Sequence, residues 1–132
     1  LEHYGNPEKI LNDVEKQIRR RILLQTKTLI LTPRYLVELS DDICAIIPLP
    51  EVLWIYDHAA MRRTIKGRQL SYTIHVVTMK GEEYTLTGKS HREVSAIYHE
   101  LNTRYPNFFF GYSKEHQEMV QYVLHEMKNE KT

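Results

Sequence analysis

The run Leu70-Ser71-Tyr72-Thr73-Ile74-His75-Val76-Val77-Thr78-Met79-Lys80-Gly81-Glu82-Glu83-Tyr84-Thr85-Leu86-Thr87-Gly88-Lys89-Ser90-His91-Arg92-Glu93-Val94-Ser95-Ala96-Ile97-Tyr98-His99-Glu100-Leu101 decides the fold, because the hydrophobic period changes inside it. Leu70, Tyr72, Ile74 and Val76 alternate with Ser71, Thr73, His75 and Val77, the period of two that a half-buried strand requires. Lys80-Gly81-Glu82 marks a turn into a second strand, Tyr84-Thr85-Leu86-Thr87. From Ser90 the period lengthens. Ser90-His91-Arg92-Glu93 fits a capping box, in which the serine hydroxyl and the glutamate carboxylate each satisfy a backbone amide of the other's residue. Val94, Ile97, Tyr98 and Leu101 then follow at the spacing of one helical face. A helix over 90–104 is expected, ending before Pro106.

Outward from this stretch the same two periods recur. Towards the N-terminus, Leu29-Ile30-Leu31 and Tyr35-Leu36-Val37-Glu38-Leu39 flank the turn Thr32-Pro33-Arg34 and read as a hairpin. Ser40-Asp41-Asp42 is a further turn, before a strand Ile43-Cys44-Ala45-Ile46-Ile47 that stops at Pro48. Val52 to Tyr56, rich in β-branched and aromatic residues, is another. The connections are too short for parallel crossovers, so the strands within 24–88 form an antiparallel meander. Ahead of it, Asn6 as N-cap, Pro7 and Glu8 open a helix over 6–21 whose apolar stripe is Ile10, Leu11, Val14 and Ile18, reaching towards Ile22. Beyond Pro106 come Phe108-Phe109-Phe110, three consecutive rings that an extended segment cannot bury on one side. A last helix over 113–128 starts at an N-cap Ser113 and carries Met119, Val120, Val123 and Met127. The expected class is α+β: one domain, 1–132, with a bent antiparallel sheet or partly open barrel of six to seven strands, capped by the helix over 90–104 and extended by a helix at each end.

Composition narrows the functions. The chain has 132 residues, 18 basic against 17 acidic, a formal charge of +1 and one cysteine. It is long enough to bury a core without a disulfide or metal staple, and the lone Cys44 excludes an intrachain disulfide and fits a reducing compartment. Near-neutral charge argues against nucleic acid as a partner. The longest uncharged runs, such as Ile43 to Pro50, fall far short of the roughly 20 residues of a membrane span. The start of the chain has no signal-peptide pattern.

No catalytic constellation emerges, nor a cofactor or metal. The seven histidines lack ligand spacing: His91 and His99 are about 12 Å apart along one helix, and His116 and His125 are further apart still. Structural roles are the better reading for them. Ser90 and Ser113 serve as caps, no nucleophile elbow surrounds Ser40, Ser71 or Ser95, and Cys44 lies within an apolar strand as a small hydrophobe. Asp41-Asp42 and Glu82-Glu83 are adjacent in turns, where neighbouring carboxylates point apart, and the five glycines form no phosphate loop. Trp54, Tyr56, Tyr72 and Tyr84 lie on strands and are read mainly as core, a peptide groove at a sheet edge being the alternative.

Charge is nonetheless uneven. Between Asp57 and Leu70 stand Arg62, Arg63, Lys66 and Arg68 with no acid among them, in a stretch containing Gly67 that reads as an inter-strand loop. Anionic lipid headgroups or phosphate are the ligands that such a loop fits; an ordinary solvated loop is the competing reading. Arg19-Arg20-Arg21 complements the dipole at the end of the first helix.

The segments Leu31-Thr32-Pro33-Arg34-Tyr35-Leu36-Val37, Ile47-Pro48-Leu49-Pro50-Glu51-Val52-Leu53-Trp54-Ile55-Tyr56 and Tyr72-Thr73-Ile74-His75-Val76-Val77, followed by Lys80-Gly81-Glu82 and a capped helix, resemble bacterial pleckstrin-homology-like domains. The resemblance covers Thr28 to Leu101. The Asn6-Pro7-Glu8 start and the segment Arg104 to Ser113 further resemble a group of Gram-positive proteins, some with membrane spans ahead of this region. It implies a closing helix over a bent sheet and supplies no catalytic residues. Ligands of such domains usually meet the first inter-strand loop, here Thr32-Pro33-Arg34 with a single base. The expected function is a non-catalytic interaction or scaffolding module, cytoplasmic and near the membrane face, as the soluble part of a membrane-anchored protein. A protein partner, self-association and an anionic membrane surface remain open as partners. Direct anion binding through residues 62–68, and a small enzyme with a dispersed site, are the alternatives.

Overall fold

A computed structural model describes residues 7–40 and 42–130. The N-cap expected at Asn6 and the carboxylate of Asp41 lie outside the described residues, and the side chains of Asp42 and Cys44 on their strand are likewise not described. The described chain is α+β, with three α-helices and eight strands in two four-stranded sheets, and contacts cluster into two units, 1–51 and 52–132.

The first unit is built on continuous apolar runs. Strands β1 (Leu24–Gln25), β2 (Leu29–Leu31), β3 (Tyr35–Ser40) and β4 (Asp42–Pro48) pair antiparallel in sequence order. Ile30, Val37 and Ile46 stand side by side on one face and Leu31, Leu36 and Ile47 on the other, and all six are buried. Burial of both faces is why these strands read as unbroken hydrophobic stretches. Helix α1 (Pro7–Arg20) covers the first face, Val14 packing with Ile30, Tyr35, Val37 and Ile46 while Ile10, Leu11 and Ile18 flank them. The Tyr35 hydroxyl donates to the Asp13 carboxylate, pinning helix to sheet. Thr32 closes the β2–β3 turn, its amide donating to the Tyr35 carbonyl and its hydroxyl oxygen accepting from the Tyr35 amide at 3.0 Å. A single 3-10 turn, Leu49–Glu51, ends the unit.

The second unit holds β5 (Val52–Thr64), β6 (Gly67–Thr78), β7 (Glu83–Lys89) and β8 (Phe109–Phe110), in the order β7-β6-β5-β8. Thus the expected single sheet of six or seven strands is divided into two sheets, and no closed barrel forms among the described residues. Helix α2 (His91–Arg104) begins as read: the Ser90 hydroxyl oxygen accepts from the Glu93 amide and the Glu93 carboxylate accepts from the Ser90 amide, both at 3.1 Å. Its buried face is Val94, Ile97 and Leu101, and its Tyr98 hydroxyl donates to Asp57 on β5. Helix α3 (Lys114–Glu130) packs Val120 against Leu53, Trp54 and Val77; alternation places Trp54 and Val77 on the other face of the sheet from Ile55 and Val76, and Leu53 lies at the register shift between Val52 and Trp54. Ser113 caps it, accepting from the His116 amide at 3.0 Å.

The phenylalanine run resolves into something the sequence reading lacked. Phe109 and Phe110 form a short parallel strand beside Trp54 and Ile55, and the Trp54 indole N–H donates to the Gly111 carbonyl at 2.9 Å. Gly111 sits at φ 80°, a left-handed position that lets the chain leave this strand for α3.

Candidate functional site

The most informative correction concerns residues 57–70. They are not a loop. β5 and β6 continue through this stretch in register, Met61 opposite Leu70, Arg62 opposite Gln69, Arg63 opposite Arg68 and Thr64 opposite Gly67, so that only Ile65 and Lys66 turn the chain. The Thr64 hydroxyl donates to the Gly67 carbonyl at 2.8 Å, and Gly67 takes φ 116°, which a side chain would strain. Sequence reading stopped the strand at Tyr56 because the residues beyond it are polar on one face and only partly apolar on the other. Continuity came from the backbone ladder instead.

This ladder makes an arm. β8 pairs with β5 only at Trp54 and Ile55, and β7 pairs with β6 only from Tyr72 inward, so beyond these points the two long strands bond only to each other. Every residue from His58 to Leu70 is exposed. Seven residues per strand give a reach of roughly 20 Å.

Its two faces differ. One carries Ala59, Met61 and Arg63 against Tyr72, Leu70 and Arg68; the other carries His58, Ala60, Arg62 and Thr64 against Thr73, Ser71, Gln69 and Gly67. Thus the first is apolar with a basic end, Met61 and Leu70 being 60% and 54% exposed, and the second is polar. At the tip Ile65 is completely exposed beside Lys66. The four predicted bases therefore do not converge on one point. Arg63 and Arg68 stand opposite each other, Arg62 points to the other face, and Lys66 occupies the turn. In a two-residue hairpin the residues flanking the turn are the hydrogen-bonded pair, so Arg63 and Arg68 form a non-hydrogen-bonded pair, whose side chains lie closest. Like charges in that position destabilise the ladder. Arg62 lines a shallow cleft of about 270 Å³ with Gln69, Ser71, Lys89 and Ser90, where the Glu93 carboxylate is committed to its capping box.

A second cluster lies at the root of the arm, on the polar face. His75 Nδ1 is 3.1 Å from Glu83 Oε1, and His75 Nε2 is 2.9 Å from His58 Nδ1. The Tyr56 hydroxyl donates to the same Glu83 oxygen at 3.1 Å, and its ring stacks on His75 at 4.7 Å between centroids. Burial, with the Glu83 charge next, pushes the Tyr56 hydroxyl up to about 12. Tyr112 lies over Tyr56 and Trp54, at 5.6 and 5.9 Å. Sequence reading missed this cluster because it measured histidine spacing along the chain. Once the turn is placed at Ile65-Lys66, His58 falls diagonally across the hairpin from His75, and Glu83 diagonally across the next ladder.

The other sequence candidates stay apart. Arg19, Arg20 and Arg21 are exposed at the end of α1, with Arg19 4.0 Å from Glu15. Arg34 of the β2–β3 turn lines a cleft with Glu8, Lys9, Asp13, Lys16 and Tyr35, where both signs of charge meet. Of the aromatics, Trp54 and Tyr84 are buried, whereas Tyr56 and Tyr72 are half-buried. Among the described residues no group of three or more His, Cys, Asp or Glu side chains is placed to hold a metal ion, and no helix is long and apolar enough to cross a membrane.

A family model described as "Domain of unknown function (DUF6709)" matches residues 10–120. No curated protein and no solved structure matches the chain.

Proposed function

This chain belongs to the DUF6709 family, and we propose that it works there as a non-catalytic interaction module whose β5–β6 arm contacts an anionic membrane surface. The observation that carries the reading is the arm itself. Between Asp57 and Glu82 there is no acidic residue, while Arg62, Arg63, Lys66 and Arg68 surround a fully exposed Ile65. An apolar tip within a basic collar suits an anionic bilayer, because the ring of cations meets headgroups while the tip enters the interface. The Arg63–Arg68 pair, a net cost in the free arm, is relieved when an anion lies between the two guanidiniums.

Other observations support the setting. Four antiparallel strands, then β5, β6 and β7, then helix α2, is an order that supports the pleckstrin-homology-like resemblance; on that resemblance we propose a bacterial module at the cytoplasmic membrane face. Self-association along the open edges of the arm is opposed by its like charges.

Flotation with vesicles tests the reading. The chain is expected to float with phosphatidylglycerol-containing vesicles and not with purely zwitterionic ones, and to be released as salt is raised. Replacing Arg62, Arg63, Lys66 and Arg68 together by Ala should abolish flotation without unfolding the domain, since all four are exposed. Equal flotation by the parent and the quadruple variant would overturn it.

A further inference from the structure

We propose that the Glu83–His75–His58 chain is a proton switch that sets the charge at the root of the arm, and through it the arm's hold on an anionic surface; this second half rests on the reading above. The argument starts from the 2.9 Å contact between His75 Nε2 and His58 Nδ1. Two imidazole nitrogens at that distance form a hydrogen bond only if one carries a proton and the other a lone pair. Glu83 fixes which. Its carboxylate oxygen lies 3.1 Å from His75 Nδ1 and accepts from the Tyr56 hydroxyl, so His75 holds its proton on Nδ1 and presents a lone pair at Nε2. His58 must then donate from Nδ1, leaving its own Nε2 as the open basic site on an exposed side chain.

The first proton therefore enters at His58 Nε2 without breaking any bond. The cation is then shared through the His58 Nδ1–His75 Nε2 hydrogen bond, either ring carrying it with every contact kept, and the Glu83 carboxylate on His75 Nδ1 balances the charge. A second proton has no such place. It would fall on His75 Nε2, set two N–H groups against each other and put two cations on rings whose centroids are 4.9 Å apart. The hydrogen-bonded line therefore has a place for one added proton and none for a second, so the two rings act as one site.

The surroundings fix the direction of the effect. On β7 the facing groups are the charged Glu83 and the neutral Thr85, and on β6 the neutral Thr73. On β5 Tyr56 stacks on His75, with its hydroxyl held protonated, and Arg62 is the next cation along the same face towards the tip. Tyr112, beyond β8, overlies Tyr56, while His116 of α3 is bonded to the Gly111 carbonyl oxygen. Protonation of the pair adds one positive charge on the face that bears Arg62. One added cation at an anionic membrane is worth about fivefold in affinity.

The test combines two readouts on the whole chain. Histidine ring NMR titration should show His58 and His75 moving together, with a first proton shared and a second displaced to lower pH; His58→Gln should change the His75 curve and Glu83→Gln should move the first step to lower pH. Flotation with phosphatidylglycerol vesicles should strengthen about fivefold from about pH 8 to about pH 5.5, a rise flattened by His58→Gln and preserved by His99→Gln, an exposed control on α2. Independent titration of the two histidines, with the His75 curve unchanged in His58→Gln, overturns the switch. Vesicle binding that ignores pH, despite a coupled pair, overturns its link to the arm. No vesicle binding at any pH overturns the membrane reading and the second half with it, while the NMR titration still decides the first.

Discussion

The inner and outer halves of the β5–β6 hairpin share one ladder and one register, yet they are opposite in every other respect. In the inner half Trp54, Ile55, Ile74, Val76 and Val77 are all buried. In the outer half nothing from His58 to Leu70 is. The ladder continues because backbone pairing needs no particular side chains, whereas burial needs a neighbour: α3 and β8 pack on the inner half, and the start of α2 meets the outer half only across the open cleft it lines with Arg62. A two-stranded ribbon standing alone is marginal, so the outer half depends on the inner half for its order. Its like-charged Arg63–Arg68 pair is a local conflict of the kind that binding surfaces retain.

That comparison is sharpest in a pair of truncations. Ile74→Ala removes a completely buried side chain and should cost about 2–5 kcal/mol in urea unfolding, whereas Ile65→Ala at the tip should change stability by less than about 0.5 kcal/mol while weakening vesicle flotation. A large stability loss from Ile65→Ala would mean that the tip is packed and the arm is not free. Next in size is the joint between the halves. Tyr98 of α2 donates to Asp57, the last half-buried residue of β5 before the exposed arm begins, and burial with that bond pushes the tyrosine well above its usual range. Tyr98→Phe should cost about 1–3 kcal/mol by leaving Asp57 without its donor, and hydrogen exchange should speed up in the arm more than in β7. Equal acceleration in both strands would make Tyr98 a general stabiliser and not a clamp on the arm's root.

The smallest effect lies in the other unit and is read at alkaline pH. Tyr35, pushed up to about 12 by burial and by its bond to Asp13, holds its proton more tightly folded than unfolded. Its contribution to stability is complete below about pH 10, the unfolded value, and is lost as pH rises through about 12. Tyr35→Phe should remove that part of the alkaline loss of stability, read as the difference between the two unfolding curves across this window. An identical alkaline profile in parent and variant would refute it.

The two halves also mark where sequence reading succeeds. α2 was legible to the residue because a capping box and an apolar stripe are local: Ser90 and Glu93 satisfy each other's amides without help from elsewhere. The β2–β3 turn at Thr32-Pro33-Arg34 was legible for the same reason. The arm's basic residues were found as a charge pattern, but their arrangement was not, since pairing Arg63 with Arg68 and sending Arg62 to the other face depends on where the turn falls. β8 escaped altogether, because two phenylalanines become a strand only when Trp54 and Ile55 offer an edge.

By itself, then, the sequence determined the local vocabulary of this protein: three helices, the alternating strands, the caps and turns, and an island of positive charge in a nearly neutral chain. Each of these follows from residues within a few positions of one another. Only the tertiary structure decided that the island stands on an exposed arm and that His58, His75 and Glu83 share one hydrogen-bonded line. Those facts depend on which elements cover which strands and on ladder register, which in this hairpin follows from a two-residue turn at Ile65-Lys66 that the mixed polar pattern of residues 57–70 does not mark.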